Sequence, residues 1–319
     1  MTTSPLDAAE AQASAGASPH SPLTDGRSSP RPMAGEAAAR KPAEANAERL
    51  AVVRDLLGKD ALVPYLGPGL LALAGAPVPA TPEAVAAALH AKAPAPSRIR
   101  TNMWSVAQFI ESRRHRKTLQ KFMADIFAAP VVPSPLVRFL AGMPSRLVVN
   151  SWYDDQFATA LREAGRDDFV EIQGITRAGI NYDIWTVAYD AAGQPCDGAA
   201  VEAARLVLYS PHGGVRPARN FLVADSDYVE VMTEIDIQTP IPSAVKEART
   251  DRGFLFLGCR FHDQMLRTYA RQIMKRSKGP HFAVAETSAL TRNERKFYDD
   301  QMIEVIDLPL AEAAAVIVN

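Results

Sequence analysis

His212 stands in the run Leu208-Tyr-Ser-Pro-His-Gly-Gly214, an imidazole beside Gly213 and Gly214 at the end of an apolar strand pattern. An imidazole placed there can take up or deliver a proton near neutral pH, which is general acid–base chemistry. Taken alone, a histidine of this kind more often packs in a core. His262 is a second, weaker acid–base candidate. His20, His90, His115 and His281 are scattered, and no pair has metal-ligand spacing, so no metal is expected. Cys196 and Cys259 can build neither a disulfide framework nor a four-ligand zinc site.

Two glycine turns flank this histidine in chain order. Gly67-Pro68-Gly69 follows the apolar run Ala61–Leu66, where a tight turn can aim backbone N–H groups at a phosphate. Pro68 removes one donor, and a plain turn reads slightly better from spacing alone. Gly258 ends the run Phe254-Leu-Phe-Leu257, with Asp263 shortly after it. A small residue at that strand end allows close approach to a ribose. It serves a sharp exit equally well, with Asp263 as a helix N-cap.

These groups need elements to hold them. The spacing of Leu50, Val53, Leu56 and Leu57 predicts a first helix, followed by a buried strand at 61–66. Thr81 and Pro82 open another helix. One long helix is expected over 103–127, with the basic run Arg113–Lys117 on a solvated face, and a shorter helix over 135–141. Strands then read at 146–149, 169–175, 182–189, 205–209, 221–224, 254–257, 282–285 and 303–308, with helices between many of them. Such alternation predicts an α/β fold: a Rossmann-like, open and mostly parallel sheet with helices on both faces. A helical insertion over about 81–145 follows its first strand.

Composition bounds the rest. Residues 1–45 are rich in Ala, Ser and Pro and hold no aromatic, Ile or Val, so a disordered tail is expected there. Residues 46–319 read as one domain. The 35 basic and 36 acidic side chains nearly cancel, and no nucleic-acid partner is expected. Prolines and glycines break the apolar stretch 61–89, which excludes a membrane span there. No secretory signal is evident, and a cytoplasmic setting is expected.

Over roughly residues 60–270 the order of these motifs resembles the bacterial sirtuin-like NAD-binding domains. The family pattern is Gly-Ala-Gly-x-Ser at a strand end, then Thr-Thr-Asn-Tyr-Asp and His-Gly. A Tyr about fifteen residues on and a strand ending in Gly, with an Asp shortly after, complete it. Here these are Gly67-Pro68-Gly69-Leu70-Leu71, Asn150-Ser151-Trp152-Tyr153-Asp154, His212-Gly213, Tyr228, and Gly258 with Asp263.

The resemblance implies NAD as substrate or ligand, His212 as the acid or base, and Asp154 near the carboxamide end. Gly67, Gly69 and Gly258 would then run along phosphates and ribose, with Tyr153, Gly213, Tyr228 and Asp263 in the cofactor-binding set. Many relatives cleave NAD, serve in antiphage defence, and work as multimers or with a partner protein. Two departures stand out. Trp152 occupies the position of the family's catalytic Asn, and an indole cannot accept a hydrogen bond as an amide oxygen does. Asn150, two residues earlier, points to the same side of an extended strand and is the candidate substitute. The zinc module of protein deacylases is absent, which disfavours deacylation. The leading expectation is hydrolysis of the nicotinamide–ribose bond. The runner-up is a silenced module that holds NAD or ADP-ribose and acts through a partner, and the third reading is an interaction protein whose cleft has lost its ligand.

Overall fold

The computed structural model describes residues 42–176, 184–234 and 241–319, so residues 1–41 of the expected tail lie outside the described residues, as do Tyr182 and Asp183 of one expected strand, while residues 42–45 are not tail but the first turn of the helix Pro42–Gly58. Nine strands form the main sheet. In chain order the strands are β1 (Leu62–Leu66), β2 (Leu147–Asn150), β3 (Phe169–Gly174), β4 (Thr186–Tyr189), β5 (Pro195–Cys196) and β6 (Leu206–Ser210). After them come β7 (Gly213–Gly214), β8 (Asn220–Phe221), β9 (Gly253–Leu257), β10 (His281–Val284) and β11 (Ile303–Ile306). The spatial order is β11-β10-β9-β1-β2-β6-β3-β4-β5, parallel from β11 to β3 and antiparallel at the β3–β4–β5 edge. β7 and β8 form a separate small hairpin.

This is the α/β, mostly parallel arrangement that alternating apolar runs predict. The central strands β1, β2, β6 and β9 are buried on both faces, as near-continuous aliphatic runs require. Val63 and Tyr65 of β1 join one core with the helices Pro82–Lys92, Met103–Arg114 and Arg116–Ile126. Leu62 and Leu66 join the other, with the helices Pro42–Gly58, Pro135–Ala141 and Leu310–Val318. The expected helical insertion does sit between β1 and β2.

The single long helix expected over 103–127 is instead two helices, broken at His115, which has φ +69°. The break turns Arg116 inward. Its guanidinium donates to Asp227 at 2.8 Å and also bonds the Phe221 carbonyl. Arg116 is therefore no part of a solvated basic face. The strand expected over 221–224 is shorter, because Asn220 and Phe221 pair with Gly214 and Gly213 before the backbone amides of Val223 and Ala224 turn to the Asp227 carboxylate.

Candidate functional site

Three central strands end level with one another. Leu66 of β1 lies opposite Leu257 of β9 and Asn150 of β2, so Gly67, Gly258 and Ser151 leave the sheet side by side. β1 leads on to β2 on one side, while β9 leads to β10 on the other. Adjacent strands whose connections diverge in this way open a crevice at their carboxyl ends, where open α/β sheets bind ligands.

The two glycine turns lock into each other at this crevice. The Gly67 amide donates to the Leu257 carbonyl and the Gly69 amide to the Gly258 carbonyl, each at 2.9 Å. A Cβ on Gly67 would sit 2.5 Å from the Gly258 oxygen, and one on Gly69 would sit 2.9 Å from the Gly258 Cα. Gly258 itself has φ +67°, a conformation that carries little penalty only without a side chain. The close passage of two backbones thus accounts for all three glycines.

A cavity of about 390 Å³ opens beside these turns. Tyr65, Pro68, Trp152, Phe261 and Leu266 supply its apolar walls. Thr81, Glu83, Arg260, His262 and Thr291 supply polar groups. His262 Nε2 lies 3.3 Å from the Glu83 carboxylate, joining the loop after β9 to the first turn of helix Pro82–Lys92. A larger cleft of about 640 Å³ lies elsewhere, by Arg146, Arg205 and Arg252 at the amino ends of β2, β6 and β9. The smaller cavity is the better candidate because it occupies the carboxyl-end crevice and gathers aromatic walls with few polar groups.

Trp152 is only 2 % exposed, and its indole N–H donates to the Pro79 carbonyl at 2.9 Å. Its ring packs against Tyr153 and Phe127, so the side chain is a fixed wall. His212 does not line this cavity. It is 2 % exposed, with its ring 4.7 Å from that of Tyr269 and 5.6 Å from that of Tyr228. Burial drives its pKa down to about 3, so the ring is neutral. The Tyr228 hydroxyl lies 3.2 Å from Nδ1, while Nε2 is buried without a partner among the described residues.

The remaining sequence candidates hold the frame. Asn150 donates through its amide to the Asp154 carbonyl at 2.9 Å, closing the turn after β2. Asp154 accepts from the Gln156 amide at 3.1 Å, and burial raises its carboxyl to about 6. Tyr153 donates to the Leu222 carbonyl at 2.9 Å. Gly213 has φ +75°, and a Cβ there would meet the Asn220 oxygen at 2.2 Å, as the β7–β8 hairpin demands. Asp263 caps helix Gln264–Met274 by accepting from the Met265 amide at 2.7 Å.

The sequence model of the SIR2-like domain family matches residues 146–306, just over half of the chain and all of the sheet from β2 to β11. This chain belongs to the SIR2-like family. No curated protein matches it. Among the described residues of this SIR2-like chain, no helix is long and apolar enough to cross a membrane.

A SIR2-like fold is NAD-related, and the residues present can be tested against that dinucleotide. The apolar cavity fits a nucleoside-sized body. The first glycine turn does not fit a diphosphate: Gly67, Gly69, Leu70 and Leu71 donate their amides to Leu257, Gly258, Gly67 and Pro68, and Pro68 has no N–H. Sequence reasoning on this SIR2-like chain missed Glu83, Phe261, Leu266 and Ser151 as cavity residues. Phe261 and His262 lie within four residues of Gly258, so position after an apolar strand was an available signal. Glu83 carried none, because only folding brings the insertion over the sheet.

Proposed function

We propose that this SIR2-like chain is a nucleotide-holding module, binding NAD or ADP-ribose in the cavity at the ends of β1 and β9 and acting through a partner. One observation carries the reading. Trp152, which the motif resemblance sets at the family's catalytic amide, is a buried cavity wall whose one polar side-chain atom is spent on Pro79, with His212 outside the lining. Binding here needs shape and apolar contact, which the walls supply, and does not need a proton-transfer group in contact.

Hydrolysis of the nicotinamide–ribose bond is the second reading, favoured by the unpartnered Nε2 of His212. If Tyr228 donates its hydroxyl proton to the Leu222 carbonyl, 3.2 Å away, Nδ1 carries the ring proton and Nε2 presents a lone pair. A water reaching that lone pair would meet a neutral base. Calorimetry with NAD and ADP-ribose, run beside an assay of nicotinamide release, separates the two readings. Saturable binding without release supports the holding module. Release by the natural chain that His212→Ala abolishes overturns it in favour of the hydrolase, and binding of neither nucleotide overturns both. Trp152→Asn is expected to gain release only if the remaining machinery is intact.

A further inference from the structure

We infer that the cavity grips the nucleoside portion of its ligand and leaves the phosphates unbound, so that a free nucleoside is recognised as well as a dinucleotide. This rests on the nucleotide-holding reading and says which part of the ligand supplies the affinity.

Phosphate recognition in α/β folds draws on free backbone amides at a strand exit and on unpaired cations. At the exit of β1 the amides are spent, and the cation beside the cavity, on the loop after β9, is already ion-paired. The amides of Gly67, Gly69, Leu70 and Leu71 all donate within the protein, and the turn is closed against Gly258 with no space for a Cβ, still less a phosphate oxygen. Arg260 is the one Arg or Lys among the cavity's described lining residues, and its guanidinium is engaged three times. Nε donates to Glu294 Oε1 at 2.8 Å, and Nη2 donates to Glu294 Oε2 at 3.0 Å and to the Ala289 carbonyl at 2.9 Å. Glu294 is itself fully buried and also accepts the Phe261 and Thr291 amides at 3.0 and 2.9 Å, so its hold on Arg260 is anchored on several sides. The only other cationic candidate on the wall, His262, faces the Glu83 carboxylate.

Glu83 is the one Asp or Glu among the cavity's described lining residues. Glu83 is well exposed in the first turn of helix Pro82–Lys92, and a phosphate approaching it meets like charge. A neutral nucleoside meets a different surface. Its base can lie against Tyr65, Trp152, Phe261 and Leu266, while Thr81, Glu83, His262 and Thr291 offer partners for sugar hydroxyls. The cavity volume of about 390 Å³ suits a nucleoside better than an entire dinucleotide. NAD and ADP-ribose would enter by one nucleoside end, with the diphosphate running outward to solvent.

The test is calorimetry on the full chain with adenosine, AMP, ADP-ribose and NAD, each at about 20 mM and about 500 mM salt, since screening separates charge contacts from apolar ones. The expected result is that adenosine binds within about threefold of ADP-ribose and NAD, with affinities nearly independent of salt. Glu83→Gln should raise the affinity for AMP relative to adenosine by threefold or more, because it removes the like charge and keeps the shape. ADP-ribose binding thirtyfold tighter than adenosine, and weakening steeply with salt, would overturn the inference while leaving the nucleotide-holding reading in place. Binding of none of the four would overturn both together. An unchanged AMP-to-adenosine ratio in Glu83→Gln would count against the electrostatic part.

Discussion

The Tyr228 hydroxyl lies 3.2 Å from Nδ1 of His212 and 3.2 Å from the Leu222 carbonyl, tying an imidazole to helix Asp225–Glu234 and to the loop after β8. Histidine, tyrosine and carbonyl form a polar set that leaves Nε2 unpartnered, inside an aromatic nest that includes Tyr269. In such surroundings a charged imidazolium is costly, and the neutral ring is the stable form.

That neutrality carries a pH signature. The folded pKa of His212, about 3, lies below its ordinary value of 6.5, so the unfolded chain binds the proton more readily between those limits. Stability from this group is complete above pH 6.5 and is lost as pH falls toward 3. The loss amounts to about 2 kcal/mol by pH 5. Ring signals of His212 in NMR should hold the neutral form down to pH 5. Titration of this ring near pH 6.5 in the folded state would show that it is hydrated.

Glu171 works with the opposite sign. It is buried in β3, accepting from Gln173 Nε2 at 2.6 Å and from the Ser210 hydroxyl at 3.2 Å, and burial raises its pKa from 4.5 to about 7. The folded state holds the proton more tightly, so stability is greatest below pH 4.5 and declines as pH rises through 7. Glu171→Gln keeps the shape and removes the ionisation. Chemical denaturation at pH 8 should find the variant more stable by about 3 kcal/mol, with the advantage shrinking toward pH 5.

The mutual grip of the glycine turns makes Gly258→Ala a sensitive probe. The new methyl would stand 2.8 Å from the Leu70 amide nitrogen, on a residue with φ +67°. Left-handed backbone alone costs an alanine about 1–2 kcal/mol, and the contact adds to it. Thermal unfolding should shift down by several degrees. Gly75→Ala, also at positive φ but with open space around it, should show the backbone cost alone.

Asp227 is the polar hub beneath the β7–β8 hairpin. Its carboxylate accepts from Arg116 at 2.8 Å, from the Thr176 hydroxyl at 2.5 Å, and from the Val223 and Ala224 amides at 3.0 Å each. Asp227→Asn replaces an acceptor by a donor facing donors and leaves a mostly buried guanidinium with only Glu111 and the Phe221 carbonyl. A loss of about 3–5 kcal/mol is expected from equilibrium unfolding, since a buried pair is broken from one side. Retained stability would mean that Glu111, already paired with Arg116 at 3.3 Å, suffices to hold the guanidinium.

The division between chain and fold is visible at single residues. Apolar runs at 62–66, 147–150, 206–210 and 253–257 were legible as strands because buried parallel strands leave no polar alternation to confuse them. The cap role of Asp263 was legible as one of two readings, since an aspartate just before a helical run has a local partner. The break at His115 was not. Beyond it Arg116 reaches Asp227, 111 residues away, and no local propensity reports such a pair.

By itself the sequence determined the alternation of strands and helices, the glycine turns at the carboxyl ends of β1 and β9, and the order of motifs shared with the SIR2-like family. Those features are local, set by apolar period and by the freedom of glycine. Only the tertiary structure decided that the glycines serve each other, that Trp152 and the His262–Glu83 pair border the cavity, and that His212 is enclosed by Tyr228 and Tyr269. Each of these is a contact across long stretches of chain. Which side chains meet there depends on how distant elements pack, a property that no window of sequence contains.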